Sequence, residues 1–116
     1  MAARPASSTK LRPLLIFGTR PEAVKMAPVV HQCRRRGDVE PVVCLTGQHR
    51  EMLAQVTDYF GIAGDVQLDL MTPDQTLPRL TARCVEAIDE VLGRVAPDCV
   101  VAQGDTTTVM AAAVFF

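Results

Sequence analysis

Residues 14–22 read Leu-Leu-Ile-Phe-Gly-Thr-Arg-Pro-Glu. A short, solid apolar run ends in glycine and turns at once into a helix start. Thr19 and Glu22 have the T-x-x-E spacing of a capping box, and Pro21 falls in the first turn, where a missing N–H costs nothing. Ala23, Met26, Ala27 and Val30 then mark one apolar face. This predicts a strand, a tight turn and a helix to Arg36, kinked at Pro28 and ended by Gly37.

The same unit recurs along the chain. Pro41–Thr46 (PVVCLT) is a second apolar strand, followed by Gly47-Gln48-His49 and a helix carrying Met52, Leu53, Val56, Tyr59 and Phe60 up to Gly61. Val66, Leu68 and Leu70 alternate with polar residues, which predicts a shorter strand nearer an edge. Leu77, Leu80, Cys84, Ile88, Val91, Leu92 and Val95 trace the longest helix, over 76–95, stopped by Pro97-Asp98. Cys99–Ala102 (CVVA) is the fourth strand, and a last helix runs from Thr107 to Phe116. Solid apolar strands alternating with helices give an α/β fold with a parallel sheet covered on both faces. Right-handed crossovers place every strand C-terminus on one rim, so the loops GTRPE, TGQHR and GDTTT converge where open α/β sheets bind ligands.

Composition limits what that rim can serve. The chain has 116 residues, one domain's worth, with 48% apolar and 22% charged side chains. No Trp and a single Tyr leave nothing to stack on single-stranded nucleic acid, and a net charge of −1 gives no general pull toward nucleic acid or an anionic membrane. The balance is asymmetric: residues 1–36 hold eight basic groups and one acid, residues 37–116 four basic groups and twelve acids. An anion-seeking feature is therefore expected early in the chain. Cys33, Cys44, Cys84 and Cys99 have no CxxC spacing and read as buried, reduced thiols acting as small hydrophobes. His31 and His49 lie too far apart in sequence to suggest a zinc site, and no metal is expected. No apolar run reaches the length of a signal peptide or a membrane helix, so the expectation is a cytoplasmic protein. Residues 1–11 read as a disordered leader, and 12–116 as the folded unit.

Each rim loop carries a plain reading and a chemical one. Gly18 lets a ligand approach the backbone, the helix N-terminus offers N–H groups, and Arg20 adds a planar cation suited to phosphate, with Lys25 a turn further on. The plain alternative is a βα turn with a surface arginine. Gln48, His49, Arg50 and Glu51 either cap and solubilise a helix or face the rim. Asp105 is either a helix N-cap or a carboxylate placed to handle protons or sugar hydroxyls. Arg34-Arg35-Arg36 reads as a solvated helix C-terminus.

FGTRPEAVKMAPVV (17–30), TGQHREMLAQV (46–56) and QGDTTTVMAAA (103–113) together resemble the N-terminal part of the non-hydrolysing UDP-N-acetylglucosamine 2-epimerases. The resemblance implies a Rossmann-like lobe, the N-terminal half of a two-lobed glycosyltransferase-B-type fold with its active site in the cleft. It implies interconversion of UDP-GlcNAc and UDP-ManNAc by elimination of UDP across C1–C2 and re-addition with inversion at C2. Arg20 and Lys25, with Gly18 and Thr19, match residues around the UDP phosphates, and Asp105 matches a catalytic carboxylate. Gln48 and His49 match a regulatory site for a second UDP-GlcNAc, and Glu51 sits where some members carry Gln. The family implies no cofactor, a homodimer of the full-length enzyme and a role in cell-envelope polysaccharide biosynthesis. Family members are much longer, so the chain reads as a truncated N-terminal lobe, expected to be inactive and at best a weak UDP binder by itself. The alternatives are a lobe of a nucleotide-sugar glycosyltransferase, or a non-catalytic nucleotide-sugar-binding module.

Overall fold

The computed structural model describes residues 10–47, 54, 57–68, 70, 74–104 and 107–114. Its elements are β1 (Pro13–Phe17), α1 (Arg20–Arg35), β2 (Val42–Leu45), β3 (Val66–Gln67), α2 (Leu77–Val95), β4 (Cys99–Ala102) and α3 (Thr107–Ala113). The four strands form one sheet in the order β3-β2-β1-β4, every pair parallel. Leu14–Phe17 pair residue for residue with Val42–Leu45, and Pro13–Ile16 with Cys99–Ala102. β3 is a two-residue edge strand, as its alternating pattern predicts.

The two faces of the sheet carry separate cores, which is why β1 and β2 read as unbroken apolar runs. Leu15, Phe17, Val43 and Leu45 pack with Ala23, Met26, Ala27 and Val30 of α1 and with Ile62. Leu14, Ile16, Val42 and Cys44 pack with Cys84, Ile88, Val91 and Val95 of α2 and with Ala111 and Ala112 of α3. Ala54 and residues 57–60 are helical, within the second predicted helix. Gly61 follows them in the left-handed conformation (φ 67°) that favours glycine. Two residues of the predicted apolar stripes face solvent instead. Tyr59 is 83% exposed and meets Phe60 ring to ring in an edge-on arrangement, and Leu77, the first helical residue of α2, is 66% exposed.

α1 continues through Pro28 as one helix. The proline lies on the exposed side, so the carbonyl it leaves without an N–H, that of exposed Val24, is open to water. Gly37 does not cap α1. The helix ends at Arg35, and the cap is Arg36 with extended backbone (ψ 132°), so no left-handed residue is called for. The Arg36 guanidinium binds the Asp38 carboxylate at 2.8 and 2.7 Å and Arg34 reaches the carbonyl of Ala63, consistent with a solvated basic helix end. The sheet also reaches one residue into the stretch read as leader: Leu11 bridges Val39, and its carbonyl accepts from the Glu40 N–H at 2.7 Å. Residues 1–9 of that stretch lie outside the described residues.

The strand N-termini are tied by Arg12, which is 7% exposed. Its Nη1 donates to the Val95 carbonyl at the end of α2 (2.8 Å), its Nη2 donates to both oxygens of Glu40 (3.2 Å each), and its backbone N–H donates to Asp98 Oδ2 (2.7 Å). The side chain joins the start of β2 to the end of α2, and the backbone N–H of the same residue ties the start of β4, all at the edge opposite the strand C-termini.

The four cysteines are free thiols, with Cys44 and Cys84 buried and Cys33 and Cys99 half-buried. Burial pushes the Cys44 thiol up to about 12, and the Cys84 thiol is raised for the same reason. In the unfolded chain such a thiol ionises at the ordinary value near 9. Stability is therefore expected to be unaffected by Cys44 below that pH and to fall between about 9 and 12, by up to about 1.4 kcal/mol per pH unit. Urea unfolding at pH 8 and pH 10.5 checks this: Cys44→Val is expected to lose less stability over that interval than the parent, and equal losses would contradict it.

Candidate functional site at the switch point of the sheet

Connections from β1 and β4, adjacent in the sheet, leave to opposite faces: α1 packs on the Leu15 face and α3 on the Leu14 face. The crevice between the ends of such strands is where open α/β sheets take ligands. Gly18 and Thr19 form one wall and Gln103 and Gly104 the other. Asp105, the proposed catalytic carboxylate, is the next residue after Gly104 and lies outside the described residues, as do Gln48, His49 and Glu51.

Thr19 occupies the N-cap of α1 with extended backbone (φ −120°, ψ 159°), and Pro21 falls in the first turn. Glu22 closes the capping box and does more. Its Oε1 accepts from the N–H of Thr19 at 3.2 Å and from the N–H of Gly18 at 3.0 Å, and the residue is only 3% exposed. The carboxylate thus stands where the helix N-terminus would receive an anion. The Gly18 and Thr19 amides, read from the sequence as groups open to a ligand, are already engaged. The cation at this wall is Arg20, which is exposed at the first position of α1.

Lys25 is also exposed, but five residues from Arg20 is about 140° around an α-helix and about 7.5 Å along it. The two cations do not share a helix face, so Lys25 supports the rim only by reaching back toward the helix N-terminus, the direction in which helical side chains lean. At the end of β2, Thr46 is fully buried, and its hydroxyl has no hydrogen-bond partner among the described residues. Gly47 follows it, buried and left-handed (φ 81°). Sequence reasoning took Glu22 for a capping-box residue; the T-x-x-E spacing marked it but not its burial. Among the described residues no group of three or more His, Cys, Asp or Glu could hold a metal, and no helix is long and apolar enough to cross a membrane.

The fold is that of a doubly wound α/β domain whose switch point lies between β1 and β4. The family profile described as UDP-N-acetylglucosamine 2-epimerase matches residues 31–115. The chain belongs to that family. It is 45% identical over 102 residues to the UDP-N-acetylglucosamine 2-epimerase of Neisseria meningitidis, a match covering 88% of this chain and 27% of the relative. With the Escherichia coli K12 enzyme it shares 46% identity over 101 residues, 87% of this chain and again 27% of the relative. The crystal structure of the Neisseria meningitidis enzyme bound to UDP-GlcNAc superposes with a TM-score of 0.85 at 44% identity, over 90% of this chain and 28% of that one. The Methanocaldococcus jannaschii enzyme, in complex with UDP-GlcNAc and UDP, gives 0.82 at 27% identity, over 90% of this chain and 29% of that one. The chain therefore spans little more than a quarter of the length of these relatives. They are epimerases, which favours that reading over the transferase lobe and the non-catalytic module.

Proposed function

We propose that residues 12–116 form the N-terminal lobe of a non-hydrolysing UDP-GlcNAc 2-epimerase, and that the β1/β4 rim handles the UDP phosphates and the reacting sugar. The observation that carries this is Arg20 exposed at the start of α1, beside a loop whose amides are already held by Glu22. That leaves a guanidinium as the anion-binding group of this wall. In the elimination and re-addition of UDP, Arg20 holds the diphosphate while it is detached from C1. Asp105 moves a proton or orients the sugar, and Lys25 adds positive charge behind Arg20. Gln48, His49 and Glu51 lie after β2, where a second UDP-GlcNAc would regulate the reaction. The enzyme uses no cofactor and acts in the cytoplasm as a homodimer, supplying UDP-ManNAc for cell-envelope polysaccharide. A single lobe supplies one wall of a cleft and lets eliminated UDP diffuse away, so the 116-residue chain alone is expected to bind UDP weakly and to show no turnover.

Titration of the ¹⁵N-labelled chain with UDP tests the assignment of the rim. Amide shifts are expected to cluster at Gly18, Thr19, Arg20 and Gly104 and to weaken with added salt. Shifts clustered instead at the roughly 250 Å³ cavity bordered by Leu45, Asp58, Gly64 and Gln67 would overturn it, as would no shift at millimolar UDP.

A further inference from the structure

Glu22 does more than a helix cap requires. Capping needs one bond, to the N–H of Thr19; here the same oxygen also takes the N–H of Gly18, and the side chain is buried rather than splayed into solvent. The carboxylate also meets the loop that follows β4. A Cβ built on Gly104 falls 2.7 Å from Glu22 Oε2 and 3.3 and 3.4 Å from its Cγ and Cδ, so the carboxylate rests directly against the backbone of the β4 loop. Gly104 also has φ 113°, a conformation that L side chains rarely adopt. Two independent features, lack of room and backbone angle, thus require glycine immediately before Asp105.

We propose that Glu22 is a positioning residue of the ligand rim: its buried carboxylate pins the Gly18–Thr19 loop and bears on Gly104, fixing the β1 loop and the β4 loop to each other. Through the first contact it sets the start of α1 and hence Arg20. Through the second it sets the backbone that leads into Asp105. The start of α1, which carries Arg20, and the backbone at Gly104 are then held to each other by one side chain. As an internal anion at the helix N-terminus, it also keeps a phosphate off the Gly18 and Thr19 amides and directs it to Arg20. The effect on ligand handling rests on the proposed function; the mechanical link between the loops does not.

The test uses the ¹⁵N-labelled 116-residue chain and its Gly104→Ala, Glu22→Gln, Glu22→Ala and Glu22→Ala/Gly104→Ala variants. Gly104→Ala is expected to move the Gly18 and Thr19 amide resonances, far away in sequence, and to weaken UDP binding by about tenfold or more, the penalty of a misplaced binding group. Glu22→Gln keeps an acceptor for those amides but changes the group against Gly104, so the Gly104 resonance is expected to shift in a folded protein. The double variant is expected to lose less stability than the sum of the two single variants, because removing Glu22 relieves the clash with the new Cβ while the strain of alanine at φ 113° remains. Unmoved Gly18 and Thr19 signals in Gly104→Ala, an unmoved Gly104 signal in Glu22→Gln, or additive destabilisation would each overturn the link. If UDP binds none of these proteins, the assignment of the rim fails, while the ligand-free shifts and the additivity still decide the role of Glu22.

Discussion

Arg20→Ala is expected to lower kcat/KM by about 30- to 1,000-fold, the equivalent of about 2–4 kcal/mol of transition-state stabilisation from one preorganised charged donor. The measurement needs both lobes, so it is made in a hybrid in which residues 13–113 replace the matching segment of the Neisseria meningitidis enzyme. The size of the effect follows from the arrangement of the loop. Because Glu22 already takes the Gly18 and Thr19 N–H groups, those amides are not free to share the charge of a departing UDP under the proposed reaction. A guanidinium can meet two phosphate oxygens at once, so Arg20→Lys is expected to restore only part of the loss. Lys25→Ala is expected to cost less, since Lys25 is displaced about 140° around α1 from Arg20. An unchanged kcat/KM for Arg20→Ala would reduce Arg20 to a surface arginine at a βα turn.

Arg12→Ala is expected to destabilise the fold by about 3 kcal/mol, a large fraction of what holds a domain of this size together. Removing the guanidinium strands the Val95 carbonyl, whose bond is buried, and leaves space where a side chain only 9% exposed had packed. It also frees Glu40, but that side chain is 45% exposed and regains water, which keeps the loss near the lower end for a broken buried pair. Lysine cannot meet Val95 and both oxygens of Glu40 together, so Arg12→Lys is expected to recover only part. Urea unfolding is the measurement. Because Arg12 lies at the strand N-termini, the UDP affinity of Arg12→Lys, if folded, is expected to match the parent; a large change in affinity with intact stability would contradict this division between the two edges.

Most of the architecture was legible because β1 and β2 are buried on both faces, and double burial writes itself into sequence as unbroken apolar runs such as Leu14–Phe17. The strand order was implied only as far as parallel pairing; that β4 returns beside β1, creating the crevice, depends on crossover geometry that no residue encodes locally. The misreadings have local causes. Gly37 follows a helix but the chain leaves α1 extended, so the glycine's freedom is not used there. Tyr59 and Leu77 kept the helical spacing of core residues while facing solvent. At the site, Arg20 and Gly18 were visible from their place after a strand. Glu22 was seen only as a cap, because it rests against Gly104, 82 residues later, and contacts at that separation leave no trace in spacing.

The turnover of the hybrid itself tests the central claim most directly, by following conversion of UDP-GlcNAc to UDP-ManNAc in the parent hybrid and in Asp105→Asn. If this chain is the N-terminal lobe of such an epimerase, the folded hybrid turns over, and Asp105→Asn, which caps a helix as well as Asp does, keeps its melting temperature while losing activity by about 100-fold or more. A hybrid that folds and binds UDP but does not epimerise, or an Asp105→Asn variant with full activity, would contradict the account.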